Sequence, residues 1–313
     1  MIAKKTIGVI GPGKHFENKI YPVIKKLNFF YLGGILRKKK RDFKNIKVFN
    51  EVSFFKQNFD FIYISCPNTL HEKYILKALK SGSHVICEKP FILSKNNINK
   101  IINLSRKKNK LIFEGFMYLY HPVFKYLKKV LEKKMYGGIK YIISNFRFPS
   151  LNKRNNRYNP NLGRGFYFDS ASYLISLDSH IANFLKEKMI SFSACKIKNI
   201  VDLRGSILIN YKNSQRFYFW GEGQKYSNNI EIFCENGTIF IDKFYSKNND
   251  DKIAMSIFLN NKEKIINFKK NNQFSEMFSS VIRNYKDFKF KEYHRNLIKQ
   301  QIYNLEKYEK NFI

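Results

Sequence analysis

The chain has 313 residues, more than a single hydrophobic core usually serves, so its length favours two domains. Hydrophobic residues make up 44% of it, which excludes a disordered chain, and no apolar run reaches the roughly 18–20 residues of a membrane-spanning helix. Its 58 basic and 24 acidic residues give a formal net charge of +34, but the lysines recur along nearly every segment. We therefore expect a globular protein without a specific nucleic-acid partner.

The first residues, 1–13 (MIAKKTIGVIGPG), pass from a short apolar run directly into a glycine turn, which favours a first strand over a signal peptide. The four cysteines show no ligand spacing, and His180 has no metal-ligand partner at a suitable distance in sequence. These patterns predict reduced, buried thiols, no metal site, no membrane partner and a cytoplasmic location.

The first third of the chain alternates strand and helix patterns. Short apolar runs predict strands at 6–10, 30–36, 47–49, 59–66, 84–88 and 111–117. Helical spacing predicts helices at 17–27, 69–80 and 94–107, with Asn68 and Ser94 as N-caps. Continuous apolar strands separated by helices are typical of a doubly wound parallel sheet of the Rossmann type, covered on both faces.

After about residue 120 the strands become longer and richer in aromatic residues. They are predicted at 139–148, 189–196, 205–211, 215–221, 229–234 and 238–241, followed by helices at 274–284 and 293–308. This pattern predicts a C-terminal α+β domain on a mainly antiparallel sheet. We place the boundary near residues 118–122, which gives domains at 1–119 and 120–313.

A glycine turn follows the first predicted strand, in residues 8–16 (GVIGPGKHF). Gly11 and Gly13 permit a tight turn and the close approach of a pyrophosphate to the N-terminus of the next helix. Phe16 stands where GxGxxG has its third glycine and would crowd this turn, so the motif alone does not exclude an ordinary strand–helix turn. As a dinucleotide site, the turn would use Gly11, Gly13, Lys14, His15 and Phe16.

The second predicted strand ends in a basic run, residues 34–41 (GILRKKKR). Sites for NAD usually carry an acidic residue here for the ribose diol, whereas a cation can bind the 2′-phosphate of NADP. Arg37 and Lys38 are the candidates, and a solvated charge run is the alternative interpretation. We favour NADP, with NAD as the second choice.

The most specific segments are residues 66–71 (CPNTLH) and 84–90 (HVICEKP). The second ends in Glu-Lys-Pro, the hallmark of the Gfo/Idh/MocA family of nicotinamide-dependent oxidoreductases, which the chain resembles. The resemblance continues through residues 114–122 (EGFMYLYHP), 157–165 (RYNPNLGRG), 169–173 (DSASY), 228–232 (NNIEI) and 237–243 (GTIFIDK). It implies a second domain that binds substrate and forms a homodimer, or a dimer of dimers, through the exposed face of its sheet.

Lys89 lies at the carboxyl end of a predicted parallel strand, where open α/β sheets bind ligands, and its ammonium would lie near a bound nicotinamide. Glu88 is its natural partner, and a simple structural ion pair is the alternative for both residues. The family resemblance adds Cys66, Pro67, Asn68 and His71 to the cofactor-binding candidates. For His71 a structural role at the start of a helix is equally well supported.

Asp169 and Tyr173 are four residues apart, so on a helix they face the same way. The resemblance implies that Tyr173 replaces the more frequent histidine as acid/base and that Asp169 orients the substrate or the proton donor. Without the family resemblance, the simpler interpretation is that Asp169 is a helix N-cap and Tyr173 a core residue. Arg157 is a weaker candidate for contact with substrate or cofactor.

The resemblance implies an NADP(H)-dependent oxidoreductase acting on CH–OH groups, similar to sugar ketoreductases and dihydrodiol or pentose dehydrogenases. Hydride would pass between nicotinamide and a carbinol or ketone carbon of a sugar or nucleotide-sugar, with surface-carbohydrate metabolism as one setting. Lys89 and Tyr173 would transfer the proton. Departures at Leu119, Arg164 and Ala171 motivate the alternative, a non-catalytic protein that senses dinucleotide or sugar on the same scaffold.

Overall fold

The computed structural model describes residues 4–37, 46–198, 200–223, 225–260 and 262–313. The chain divides into two compact units, Met1–Phe116 with Phe274–Tyr303, and Met117–Gln273 with Asn304–Ile313. The first break lies close to the predicted boundary at 119/120. The segment Phe274–Tyr303, which we expected in the second domain, packs instead with the first unit.

A six-stranded parallel sheet forms the centre of the first unit, in the order β3-β2-β1-β4-β5-β6. The strands are β1 (Lys5–Ile10), β2 (Phe30–Leu36), β3 (Val48–Phe49), β4 (Phe61–Ile64), β5 (His84–Cys87) and β6 (Ile112–Glu114). The order reverses between β1 and β4, which is the doubly wound topology that the sequence predicts. β4 and β5 are buried at every position because helices cover both faces.

The helices of the first unit are α1 (Tyr21–Leu27), α2 (Glu51–Phe55), α3 (His71–Lys80) and α4 (Ile98–Lys107), joined late in the chain by α7 (Gln273–Asn284) and by α8 (Phe288–Lys310) up to Tyr303. On one face, Ile298 and Ile302 of α8 belong to the same buried cluster as α3 and α4. On the other, Phe278 of α7 meets Phe30 and Tyr63 edge-on or tilted, at 5.9 Å between ring centroids. These contacts explain why the chain returns to the first unit.

The second unit contains an eight-stranded sheet in the order β14-β13-β12-β11-β7-β10-β9-β8. Its strands are β7 (Ile139–Phe148), β8 (Met189–Lys198), β9 (Asp202–Tyr211), β10 (Gln215–Glu222), β11 (Ser227–Cys234), β12 (Gly237–Ile241), β13 (Ile253–Leu259) and β14 (Lys262–Phe268). Every pairing is antiparallel except that of β7 with β10. The mainly antiparallel α+β architecture is therefore confirmed, with β13 and β14 added to the predicted strands.

Helices α5 (Pro122–Glu132) and α6 (Ser172–Leu185) complete the second unit. A buried ion network joins α6 to the sheet: the fully buried Arg216 of β10 donates to Asp178 of α6 at 2.9 Å and also pairs with Glu187. The hydroxyls of Tyr211 and Tyr218 donate to the same Asp178 carboxylate at 2.8 and 3.1 Å. Removing one partner from such a buried pair typically costs about 3–5 kcal/mol, so the network specifies how helix and sheet pack.

Within the described residues no helix is both long and apolar enough to cross a bilayer. All four cysteines are free. Cys66 and Cys87 are buried as predicted, but Cys195 is exposed on β8, because alternate residues of a strand face opposite sides of the sheet.

Candidate active site

The carboxyl ends of β1, β4, β5 and β6 meet at one edge of the first sheet, on either side of the point where the strand order reverses. Crevices at such points bind ligands in open α/β sheets. The loops at this edge carry most of the predicted cofactor residues, namely Gly11, Gly13, Lys14, His15, Cys66, Pro67, Asn68, Glu88 and Lys89. The structure therefore gathers residues that lie far apart in the chain.

The glycine turn after β1 has two glycines with different roles. Gly11 has a φ of +70°, and a Cβ there would lie 2.6 Å from the Cα of Cys66, so only glycine fits. A Cβ on Gly13 would meet nothing within 4 Å. The turn is therefore closed on one side by Cys66, in the loop after β4, and open on the other, where a phosphate could approach the backbone.

Phe16 does not crowd this turn, which corrects the expectation from the sequence. Its ring is fully buried and packs against Tyr21 and Tyr63 at 6.0 and 6.1 Å between centroids. The backbone at Phe16–Ile20 forms a wide π-helical turn at this point. Phe16 as a whole has no exposed surface, so the contact with a cofactor expected from the sequence does not agree with its burial.

Arg37 directly follows β2, whose last carbonyl, that of Leu36, accepts a hydrogen bond from the Gly11 N–H at 3.0 Å. A guanidinium nitrogen of Arg37 lies 3.8 Å from the Glu17 carboxylate, one helical turn beyond the glycines. A cation thus stands at the predicted position beside the turn. Lys38 lies outside the described residues.

His71 has a structural role in this geometry. Its ring is fully buried, with Nδ1 2.8 Å from the carbonyl oxygen of Pro90 and Nε2 2.9 Å from that of Cys66. Burial lowers the pKa of His71, although the two carbonyls oppose this effect. The ring thereby connects the loop after β4 to the loop after β5. Because the ring has no exposed surface, the direct contact with a cofactor suggested by the sequence does not agree with the structure.

Glu88 is the centre of a hydrogen-bonded group beside Lys89. Its Oε1 accepts a short hydrogen bond from the Tyr63 hydroxyl and lies 3.3 Å from Nε2 of His15. Burial opposes ionisation of this carboxyl, but His15, Tyr63 and Lys89 together lower its pKa. Glu88 is therefore an ionised carboxylate in the interior, next to the half-buried Lys89.

Glu114, at the end of β6, was missed from the sequence. A carboxyl oxygen of Glu114 accepts the Phe91 N–H at 2.8 Å and so holds the loop that carries Lys89. Burial raises the pKa of Glu114 to about 8, against the opposing effects of the Phe91 N–H and Lys89. The sequence feature that could have identified Glu114 as a site residue is its position as an acidic residue at the carboxyl end of an apolar strand.

In the second unit, Asp169 lies in a π-helical turn, Tyr167–Ala171, that leads into α6. Arg157 donates from Nε to its carboxylate at 2.6 Å and stacks over Phe148, with the guanidinium carbon 5.6 Å from the ring centroid. Asp169 raises the pKa of Arg157, and Tyr173 contributes to the same shift. The three predicted substrate residues are thus close together.

Tyr173 occupies the first turn of α6 and is 4% exposed. Its hydroxyl donates to Sδ of Met117 at 3.4 Å, and its ring packs against Tyr118, Phe146 and Tyr245. A thioether is a weak acceptor, so this hydroxyl loses little when a better partner arrives. Lys89 belongs to the first unit and Tyr173 to the second, and their convergence stays a prediction.

His180 lies on α6 with Nδ1 2.7 Å from the carbonyl oxygen of Ser176. Over the described ranges, no group of three or more His, Cys, Asp or Glu side chains is arranged to hold a metal ion.

Two family models match the chain. Residues 5–116 match an oxidoreductase family with an NAD-binding Rossmann fold, and residues 124–240 match the GFO/IDH/MocA C-terminal domain. The first matched range contains the six-stranded sheet, and the second lies within the unit that contains the eight-stranded sheet.

Among curated proteins, the chain is 25% identical over 195 residues to a dTDP-3,4-didehydro-2,6-dideoxy-alpha-D-glucose 3-reductase from Saccharopolyspora spinosa. This alignment covers 61% of the chain and 58% of that protein. A scyllo-inositol 2-dehydrogenase (NADP(+)) from Bacillus subtilis is 25% identical, with 60% and 58% covered. The chain thus aligns with less than two thirds of the length of these relatives.

Among solved structures, a 3-ketoreductase from Actinomadura kijaniata in complex with NADP and TDP-benzene superposes with a TM-score of 0.91 at 17% identity, covering 99% of this chain and 98% of that one. An aldose-aldose oxidoreductase from Caulobacter crescentus gives a TM-score of 0.85 at 16% identity, covering 99% and 97%. At this identity the superpositions show a shared fold.

The raised pKa of Glu114 predicts a pH-dependent stability that a Glu114→Gln variant lacks. The folded protein holds this proton up to about pH 8, whereas the unfolded chain releases it near 4.5, so the free energy of unfolding should fall as the pH rises between these values. Glutamine still accepts the Phe91 N–H but does not ionise. Denaturant titrations should show wild type losing stability relative to the variant by at most about 1.4 kcal/mol per pH unit. A pH-independent difference between pH 5 and 8 would contradict this result.

Proposed function

The chain belongs to the Gfo/Idh/MocA family of oxidoreductases, and on this premise we propose that it is an NADP(H)-dependent enzyme that transfers a hydride between nicotinamide and a carbinol or ketone carbon of a sugar or nucleotide-sugar. The observation that carries the proposal is the edge of the first sheet. There a phosphate-accessible glycine turn and a lysine with an ionised carboxylate neighbour lie at the reversal of strand order.

The residues present fit a dinucleotide. Gly11 leaves no room for a side chain, Gly13 faces open space, and the chain is helical without interruption from 14 to 27, so free N–H groups point toward the turn. Arg37 stands at the end of β2 beside the turn, where the 2′-phosphate of NADP is commonly bound. When bound, the cofactor supplies or accepts the hydride.

The chain's own residues would handle the proton and the substrate. We assign proton transfer to the Tyr173 hydroxyl and the Lys89 ammonium, with Glu88 as the carboxylate partner of Lys89. Arg157 donates to the Asp169 carboxylate at 2.6 Å, and Asp169 would orient the substrate or the proton donor. Arg157 is thus a positioning residue.

The substrate class follows from relatives whose names describe oxygen-rich rings, a dTDP-sugar and an inositol. In this chain, residues 149–165 contain four cations and no acid: Arg157 pairs with Asp169 and Arg164 with Glu309, whereas Lys153 and Arg154 are exposed. This loop favours an anionic substrate and so a nucleotide-sugar over a free sugar. The free cysteines support a cytoplasmic location.

Turnover of a panel of sugars and nucleotide-sugars, including precursors of surface carbohydrates, with NADPH and NADP⁺ tests the proposal. Lys89→Ala and Tyr173→Phe should each lower kcat by about 10²–10⁴ because proton transfer loses its donor. NADPH affinity, measured by fluorescence, should change little for Tyr173→Phe. Lys100→Ala and Tyr293→Phe, both on the exposed surface of the first unit, serve as matched controls.

Full activity in both site variants would refute the site assignment while leaving the enzyme class intact. NADPH binding without turnover of any substrate in the panel would favour the sensing protein instead.

Arg37 should set the preference for NADP. Its replacement by alanine removes the cation beside the turn, so the Kd for NADPH should rise about 10–100-fold, as expected for a lost hydrogen bond to a charged group. The Kd for NADH should barely change and provides the internal control. Equal effects on the two nucleotides would mean that Arg37 acts only through its pair with Glu17.

The outer face of the second sheet is the proposed homodimer interface. Tyr141, Ile143, Phe219 and Phe258 project from it and are exposed by 36–48%, although they are large and apolar. Light scattering at micromolar concentration should give twice the chain mass, and Phe219→Glu should yield monomers. A monomeric wild type would exclude this interface.

A further inference from the structure

His15 connects the glycine turn to the carboxylate beside Lys89. It follows Gly13 by two residues in the first turn of the helix, and its Nε2 lies 3.3 Å from Oε1 of Glu88, which follows β5. β4 separates β1 from β5 in the sheet, so this contact passes over the end of β4. The imidazole is 45% exposed and the Glu88 carboxylate 15%.

Several charged or polar groups lie on the segments that pack next to this imidazole. On its own segment stand Lys14 and Glu17, and Glu17 is paired with Arg37 at 3.8 Å. From the loop after β5 come Glu88 and Lys89, and from β4 comes the Tyr63 hydroxyl, which donates to the same carboxylate oxygen of Glu88. The packed helix α7 contributes the ring of Phe274, 5.6 Å from the imidazole, and carries Glu276 two residues further on. Glu88 is the anion in direct contact.

A pyrophosphate at the glycine turn would compete with Glu88 for His15. Helix N-termini with free N–H groups attract phosphates, and His15 lies in the first turn of this helix. Glu88 can give up the histidine, because the Tyr63 hydroxyl and Lys89 also stabilise its charge. Histidine changes its charge between about pH 5 and 8, and added phosphate charge favours the imidazolium.

We propose that His15 exchanges its partner on dinucleotide binding, from the Glu88 carboxylate to the pyrophosphate, and that this exchange takes up a proton from solvent. The inference rests on the proposed function and deepens it. The proton enters on the imidazole, no covalent bond changes, and Glu88 is left with Tyr63 and Lys89. Dinucleotide binding would thereby strengthen the pairing of Lys89 with its neighbouring carboxylate.

Calorimetric titration of the full chain with NADPH at pH 7.5 measures the proton directly. In phosphate, HEPES and Tris, the slope of the observed enthalpy against the ionisation enthalpy of the buffer gives the number of protons taken up. Wild type should take up measurably more protons than His15→Gln, since only the histidine can accept a proton at this position. Both proteins bind the same 2′-phosphate, so any proton that this group takes up cancels in the difference between their proton uptakes.

Two further variants separate this exchange from a structural role. His15→Lys carries a permanent cation, so it should bind NADPH at least as tightly as wild type and show the low proton uptake of His15→Gln. Glu88→Gln removes the competing anion, so its uptake should exceed that of wild type. If His15 had only a structural role, His15→Lys would not retain the NADPH affinity of wild type. Glu88→Gln would then not change the proton uptake on NADPH binding.

Equal proton uptake by wild type and His15→Gln, with normal NADPH affinity, would overturn the partner exchange and leave the proposed function in place. Failure of wild type to bind either NADPH or NADH would overturn the proposed function and this inference with it. Thermal melts without nucleotide confirm that the variants are folded, as the exposure of His15 leads us to expect.

Discussion

The ionised carboxylate of Glu88 is the interaction on which the candidate site depends. A carboxylate in the interior is unfavourable unless hydrogen bonds and opposite charge compensate its lost hydration, and Tyr63, His15 and Lys89 provide this compensation from three different segments. Each of these segments follows or belongs to a different strand of the parallel sheet. The charge therefore fixes how the loops after β1 and β5 lie relative to β4.

Glu114 shows the opposite solution a short distance along the same sheet edge. It receives one backbone N–H, and burial keeps it protonated near neutral pH. Lys89 thus interacts electrostatically with two carboxyl groups, of which Glu88 is ionised and Glu114 is neutral. In the second unit, Arg157 and Asp169 form the corresponding charged group, with Nε of Arg157 2.6 Å from the Asp169 carboxylate.

The sequence predicted the elements whose pattern is local. Short apolar runs revealed all six strands of the first sheet, and the segment ending in Glu-Lys-Pro located Glu88 and Lys89. It did not reveal the role of Phe16, because whether a ring points toward a ligand or into the interior depends on the π-helical turn. The buried state of His71 depends on two carbonyls that only the folded loops supply. The placement of α7 depends on aromatic contacts with residues more than 200 positions earlier.

The return of α7 and α8 to the first unit has a consequence for biosynthesis. Phe278, Tyr285, Ile298 and Ile302 cover surfaces of the parallel sheet and its helices that would otherwise be exposed to water. During translation, the nucleotide-binding half emerges first but lacks these side chains until nearly the whole chain has been made. The nascent polypeptide thus presents bare apolar surface for most of its synthesis, a state in which chaperones bind and aggregation begins.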